Sequence, residues 1–362
     1  MALKETIAAG KKTGREEQLQ FLRFLAFLNI FIYHAEQWQF FRYPASHCAF
    51  AAVSFFFILS GLVSGYTLIG KQTELRLKTV GTYLWKKLCR LYPLYFCTVL
   101  FTVLYTDLPE TLLTAGIAAA GEPLRQLLRA LLLIQAWFPE GYYAYNGVGW
   151  YLSSMVFLYG LTLPAMAVMR KVNGHSKRYF LFAFLAGGLL FGSAVYCYVT
   201  QGMDMGYWHY IFPPARMGEY FAGMILGVTL SSVKPRIRNG YLLRTVMTAL
   251  EIAVLVYWFR SLSSPGNYWR NHIVSWLLPN LALLSVFTIG GGWISAVFRC
   301  GPLVRLGDAS FACYLIHQLI INLYSFVHPE ASLSLQGQTA AFLYCLMASV
   351  LVALCLDRKG KT

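Results

Sequence analysis

The sequence predicts an all-α fold, a polytopic membrane bundle of about ten transmembrane helices, from three observations. Of 362 residues, 57 % are hydrophobic and only 12 % charged, and mean hydropathy is +0.53, a balance foreign to soluble domains. Apolar windows of about twenty residues, the length a helix needs to cross a bilayer core, recur along the whole chain. The 30 Lys and Arg residues fall between those windows, and unequally on the two alternating sides.

The first window, 20–40, follows a polar segment of mixed charge, 1–19. It carries Arg23, Asn29 and His34 and is too long for the apolar core of a cleavable signal, so the first helix is expected to be retained. Further windows follow at 48–69, 91–108, 149–170, 179–200, 215–232, 245–262, 272–290, 309–328 and 337–356. Segment 111–138 is interrupted by Glu122, Pro123, Arg125 and Arg129, so Leu124–Phe138 reads as an amphipathic or re-entrant helix rather than a span. With the N-terminus inside, 23 Lys and Arg lie on the inner side and six on the outer, the bias of cytoplasmic loops. Making 111–138 a span would put Arg170, Lys171, Lys177 and Arg178 outside. The expected organisation is a cytoplasmic segment (1–19), one membrane domain (20–356) and a cytoplasmic tail (357–362), in a cell membrane.

A net charge of +15 raises the question of nucleic acid, but binding it requires basic residues clustered on a soluble face. Here they are spread through short loops, and no nucleic-acid partner is expected. Cys48, Cys89, Cys97, Cys197, Cys300, Cys313, Cys345 and Cys355 show no CxxC or CxxH spacing and lie mostly in apolar runs. They read as small packing residues, with no metal site. The aromatic run Ala136–Trp150 reads either as an interfacial belt or as a platform for a sugar or lipid headgroup.

The chemistry-bearing residues start with Arg23 and His34. Eleven residues at 100° each return to within about 20° of the starting direction, so both point one way from a helix, roughly 16 Å apart along its axis. Ionisable groups at membrane depth are costly. An arginine near the cytosolic side suits a phosphate-bearing anion; a histidine towards the outer side suits a general base for a hydroxyl. Taken alone, the pair reads more simply as an arginine snorkelling to the interface and a packing histidine.

Five further segments bear on that choice. Arg23-x10-His34 within LRFLAFLNIFIYHA resembles the first helix of the acyltransferase-3 family of integral membrane acyltransferases. Val53–Gly61 (VSFFFILSG) resembles the family's FFxLSG signature, and Lys86–Tyr95 (KKLCRLYPLY) its basic segment with R-x-Y-P. Trp150–Tyr159 (WYLSSMVFLY) resembles its WxLS segment, Arg216–Gly227 (RMGEYFAGMILG) its RxxEFxxGxxxG segment, and Leu306–Gln318 (LGDASFACYLIHQ) its LGxxSYxxYLxH segment.

The resemblance implies an enzyme that transfers an acyl group, usually acetyl, from cytosolic acyl-CoA to a carbohydrate hydroxyl at the membrane. Acyl-CoA enters as a co-substrate, with no cofactor held tightly. The partners implied are acyl-CoA, a surface or lipid-linked glycan and membrane lipids; oligomeric state stays open. His34 is the essential histidine by this resemblance, and Arg23 its partner. Lys86, Lys87 and Arg90 are the donor-binding cations. Lys87 stands where the family has an arginine, so a phosphate fork rests more safely on Arg90. Two positions depart from the family pattern: Met155 replaces an acidic residue of the fourth segment, and Ser54 one of the second.

Trp150, Ser153, Arg216, Glu219, Tyr314 and His317 complete the candidates. Arg216 and Glu219 read either as a buried ion pair or as a capping pair at the outer interface. Tyr314 and His317 either meet substrate or knit the ninth and tenth helices, knitting being the simpler reading. Asp308 is expected to cap the ninth helix. Rival readings from other classes are a transporter or flippase of glycan precursors and a non-catalytic membrane sensing module.

Overall fold

The computed structural model describes residues 16–37, 49–71, 74–104, 106, 108–114, 116–200, 202–204, 206–233, 240–262, 276–328 and 334–359. The segment before residue 16, His47, Cys48, His272 and the last three residues lie outside the described part.

Fourteen α-helices are described, and each apolar window falls on one. In chain order they begin with α1 (Gln18–Gln37), α2 (Ala49–Leu68) and α3 (Leu77–Val103), followed by the short α4 (Leu108–Thr114), α5 (Gly116–Ala119) and α6 (Gly121–Leu131). Then come α7 (Trp150–Asn173), α8 (Arg178–Val199), α9 (Met217–Val233), α10 (Tyr241–Leu262), α11 (Leu278–Ile289), α12 (Trp293–Phe298), α13 (Gly301–Val327) and α14 (Leu335–Lys359). Among the described residues, five helices (α2, α7, α10, α13, α14) are long and apolar enough to cross a membrane. There are six if α3 and α4, bent by 52°, form one span. The chain is a multi-pass membrane protein.

Three expectations shift. The interrupted segment breaks into α4, α5 and α6 instead of one helix to Phe138. Helix α6 stops at Leu131 because Leu133 turns to a φ of +55°, a conformation that ends a right-handed helix. Helix α3 starts well before position 91, so Lys86–Arg90 is part of one helical rod with the apolar stretch. Helix α13 starts at Gly301 with a proline in its first turn, where a missing N–H costs nothing. Asp308 therefore sits inside the helix and does not cap it.

The tightest seam joins α2 and α9. Gly61 and Gly65 face Gly223 and Gly227, both at four-residue spacing, and neither side tolerates a methyl group. A Cβ at Gly61 would stand 1.9 Å from the Tyr220 carbonyl oxygen, and one at Gly223 2.0 Å from that of Ile58. Small residues at this spacing let backbones touch where lipid offers no hydrophobic drive for helix association. A second close approach joins α13 to α1, where Gly307 leaves 2.1 Å between its would-be Cβ and the Gln20 carbonyl oxygen.

Buried polar side chains tie the remaining helices. The Asn280 amide donates to the Ala51 carbonyl (2.9 Å) and accepts from the Trp258 indole (2.8 Å). The Gln18 amide donates to the Phe287 carbonyl (2.7 Å) and accepts from Arg299 (3.0 Å). Glu251, fully buried on α10, accepts from the backbone N–H groups of Gly292 (3.1 Å), Ile294 (3.1 Å) and Ser295 (3.3 Å) and from the Ser295 hydroxyl. It supplies the N-terminal cap of α12 from another helix. Cys89, Cys97, Cys300, Cys313, Cys345 and Cys355 are free thiols, Cys313 and Cys345 within the core.

Candidate active site

Helix α1 is continuous through Arg23 and His34. His34 Nδ1 lies 2.8 Å from His317 Nε2 on α13. The His317 ring is 0 % exposed, flanked by the rings of Phe27 and Phe31. Its Nδ1 is 2.8 Å from the Tyr314 carbonyl oxygen and 3.2 Å from that of Cys313. His34 keeps part of its surface accessible. His317 thus knits α13 to the first helix.

The loop above this pair is fixed from three sides. Tyr314 donates from its hydroxyl to the Val148 carbonyl (3.1 Å). The Asn146 amide donates to Thr98 (2.7 Å) and to the Leu315 carbonyl (3.1 Å). Tyr145, at a φ of +61°, donates to the Pro123 carbonyl (2.7 Å). A non-glycine residue in that region persists only where its surroundings hold it. The tip carries Tyr142, packed against Tyr207, and Tyr143, 52 % exposed. Tyr143 is within electrostatic reach of Tyr33, which adjoins His34, and of Tyr314. Ser153, a substrate candidate by sequence, is buried and accepts the Ala136 N–H (3.3 Å), so it anchors the base of this loop.

Arg216 and Glu219 form a buried ion pair (3.0 Å), 1 % and 2 % exposed. The guanidinium also donates to the Tyr210 carbonyl (2.8 Å) and lies over the rings of Tyr210, Phe57 and Trp150. Trp150 is buried in the same stack. His209 is enclosed nearby, hydrogen-bonded to Thr200; burial pushes its imidazole down to about 4, so it stays neutral near pH 7.

On the expected cytosolic side, cations meet a cluster of hydroxyls. Lys87 Nζ lies 4.8 Å from the Tyr159 ring and 5.5 Å from that of Tyr83, within range of a cation–π contact. Arg23 donates to Gln20 (2.9 Å) and is within electrostatic reach of Tyr159 and Tyr151. Beside Tyr159 stand Thr162, Tyr220 and Ser64, linked at 2.7 and 3.2 Å; Ser60 and the Tyr151 hydroxyl follow at 3.5 Å. Lys86 and Arg90 are exposed on the same stretch of α3. Of the basic trio it is Lys87 that turns inward. Sequence reasoning passed over Tyr151, Asn146 and Glu251. A lone acid in an apolar run was the available signal for Glu251; the other two show only once the helices are assembled.

The family model described as an acyltransferase domain matches residues 16–358, which hold both histidines and both cationic positions. The chain belongs to the acyltransferase-3 family. This acyltransferase is also 28 % identical over 364 residues to the acyltransferase MdmB of Streptomyces mycarofaciens, a match spanning 92 % of this chain and 86 % of that protein. No solved structure matches it. The acyltransferase thus brings His34 together with His317, and sets Arg23 and Lys87 each within reach of Tyr159. It keeps these two pairs at different depths of one bundle.

Proposed function

We propose that this membrane acyltransferase moves an acyl group, acetyl in the simplest case, from cytosolic acyl-CoA to a hydroxyl of a surface or lipid-linked carbohydrate in a bacterial plasma membrane. The observation that carries this reading is His34: part-accessible, held at 2.8 Å by a buried second histidine, inside a bundle where polar groups are expensive. His34 acts on the acceptor hydroxyl as general base, or takes the acyl group transiently and passes it on. Arg23, Lys86, Lys87 and Arg90 receive the phosphates of the donor, Arg23 and Lys87 each standing within reach of Tyr159 beside the hydroxyl cluster. The acceptor ring approaches from the opposite side, where Tyr143 and Trp137 offer exposed aromatic faces. Donor and acceptor then react within the membrane, and neither crosses it whole.

Labelled acetyl-CoA added to inverted membrane vesicles tests the reading. Label is expected on glycan with the wild-type chain and at background with His34→Ala, at equal protein level. Glycan movement without label points to a transporter, and wild-type labelling by His34→Ala removes His34 from the chemistry.

A further inference from the structure

Two imidazoles 2.8 Å apart share one hydrogen between Nδ1 of His34 and Nε2 of His317. The distance alone leaves two arrangements, with either ring as donor. The far side of His317 decides between them. Its Nδ1 faces two carbonyl oxygens, those of Tyr314 at 2.8 Å and Cys313 at 3.2 Å. Carbonyl oxygens only accept. An unprotonated Nδ1 would aim its lone pair at both, in a site with 0 % exposure. Nδ1 therefore carries the hydrogen. Protonating both nitrogens of His317 would place a full charge among Phe27, Phe31 and Cys313 with no carboxylate against the ring among the described residues, a large desolvation cost. Neutral His317 is thus protonated at Nδ1, and its Nε2 is an acceptor.

We infer that His317 is a positioning residue that fixes His34 as the Nδ1–H tautomer, leaving the Nε2 lone pair of His34 free to react. This rests on the functional reading of His34 given above. In the general-base route, Nε2 takes the proton of the acceptor hydroxyl while its oxygen bonds the acyl carbon. The carbon–sulfur bond of the donor breaks, and the departing thiolate takes the proton back from Nε2. The ester and free CoA thiol balance the reactants, and both histidines return to their starting state. Throughout, the Nδ1–H of His34 stays on the His317 lone pair, a bond that strengthens while His34 is cationic. The same tautomer serves an acyl-carrier route, since Nε2 is again the nucleophile. The backbone of α13, through Tyr314 and Cys313, thereby sets the protonation pattern of a residue on α1.

Nitrogen-15 spectra of the full chain, histidine-labelled in nanodiscs, read the tautomer directly. The His34 signals, identified by their loss in His34→Gln, are expected to show a protonated Nδ1 and a bare Nε2. The opposite assignment overturns the inference. This reading holds whether or not acyl transfer is detected, so its failure and that of the functional proposal are separable. Rates in the vesicle assay supply the second arm. His317→Leu, close in volume and without an acceptor, is expected to lower kcat about 10²–10³-fold, in the range of a mispositioned general base, with KM for acetyl-CoA within about twofold. His317→Gln offers a carbonyl oxygen to His34 and an amide to the α13 carbonyls, and is expected to recover at least about tenfold of that loss. Equal impairment of both variants, with equal thermal stability, overturns a positioning role, as does a loss carried by KM alone.

Discussion

At the scale of single residues, the structure separates charges that hold the bundle from groups that are open to a ligand. Arg216 and Glu219 belong to the first kind: their ion pair is all but sealed. Removing one partner strands the other in low dielectric, and breaking such a pair costs roughly 3–5 kcal/mol. Glu219→Leu is therefore expected to lower the apparent Tm of the purified protein by several degrees, and Arg216→Met/Glu219→Leu to recover most of it. A single variant as stable as wild type would show that the pair contributes nothing. Arg23 and His34 belong to the second kind, since both keep accessible surface. Arg23→Lys keeps the charge and loses the planar fork, so KM for acetyl-CoA is expected to rise several-fold with kcat little changed. Unaltered KM contradicts an anion-binding role. These residues were legible in the sequence because polar side chains stand out in apolar runs. Their partners were not: 283 positions separate His34 from His317, and no local pattern reports such a meeting.

At the scale of elements, what was legible was where the helices lie, and what was not was which ones touch. Hydropathy marks a window because burial in lipid demands it along the segment, and a helix lies in each of the ten windows. Boundaries moved wherever polar residues extend a helix past its apolar part, as at Lys86–Arg90 in α3. Pairing is written in small residues. Those in Val53–Gly61 and Arg216–Gly227 looked like separate motifs until α2 and α9 were seen to interlock through them. Gly223→Ala must push a methyl group into the Ile58 carbonyl, 2.0 Å away. Because backbone cannot swing aside as a side chain can, a loss of about 3 kcal/mol, at the upper end of ordinary overpacking, is expected. Gly188→Ala is the control: nothing lies within 4 Å of its would-be Cβ on α8, and alanine favours a helix over glycine by about 1 kcal/mol. Thermal unfolding of the two variants in one detergent should therefore move in opposite directions. Equal effects would deny that the α2–α9 seam is as close as described.

At the scale of the whole molecule, the two kinds of site lie along one direction. Cations and hydroxyls gather where α1 begins and α2 ends, and exposed aromatic rings where α7 begins, with the His34–His317 pair towards the aromatic side. The proposed transfer from acyl-CoA needs the cationic end to face the cytosol, where acyl-CoA is made, and the aromatic end to face out. The Lys and Arg bias predicts that orientation, and orientation can be tested without any substrate. In a background with all eight cysteines replaced, cysteine at Glu140, an exposed position on the aromatic loop, is expected to react with a membrane-impermeant maleimide on intact cells. Cysteine at His175, exposed between α7 and α8, is expected to react only after permeabilisation. Twenty-four helical residues of α7 separate the two sites, about 36 Å of rise and enough to cross the hydrocarbon core. Labelling of both sites from outside would mean that α7 does not cross. The reversed pattern would put Lys87 and Arg23 on the outer side, away from any cytosolic acyl-CoA, and the direction of transfer proposed for this acyltransferase would fall with it.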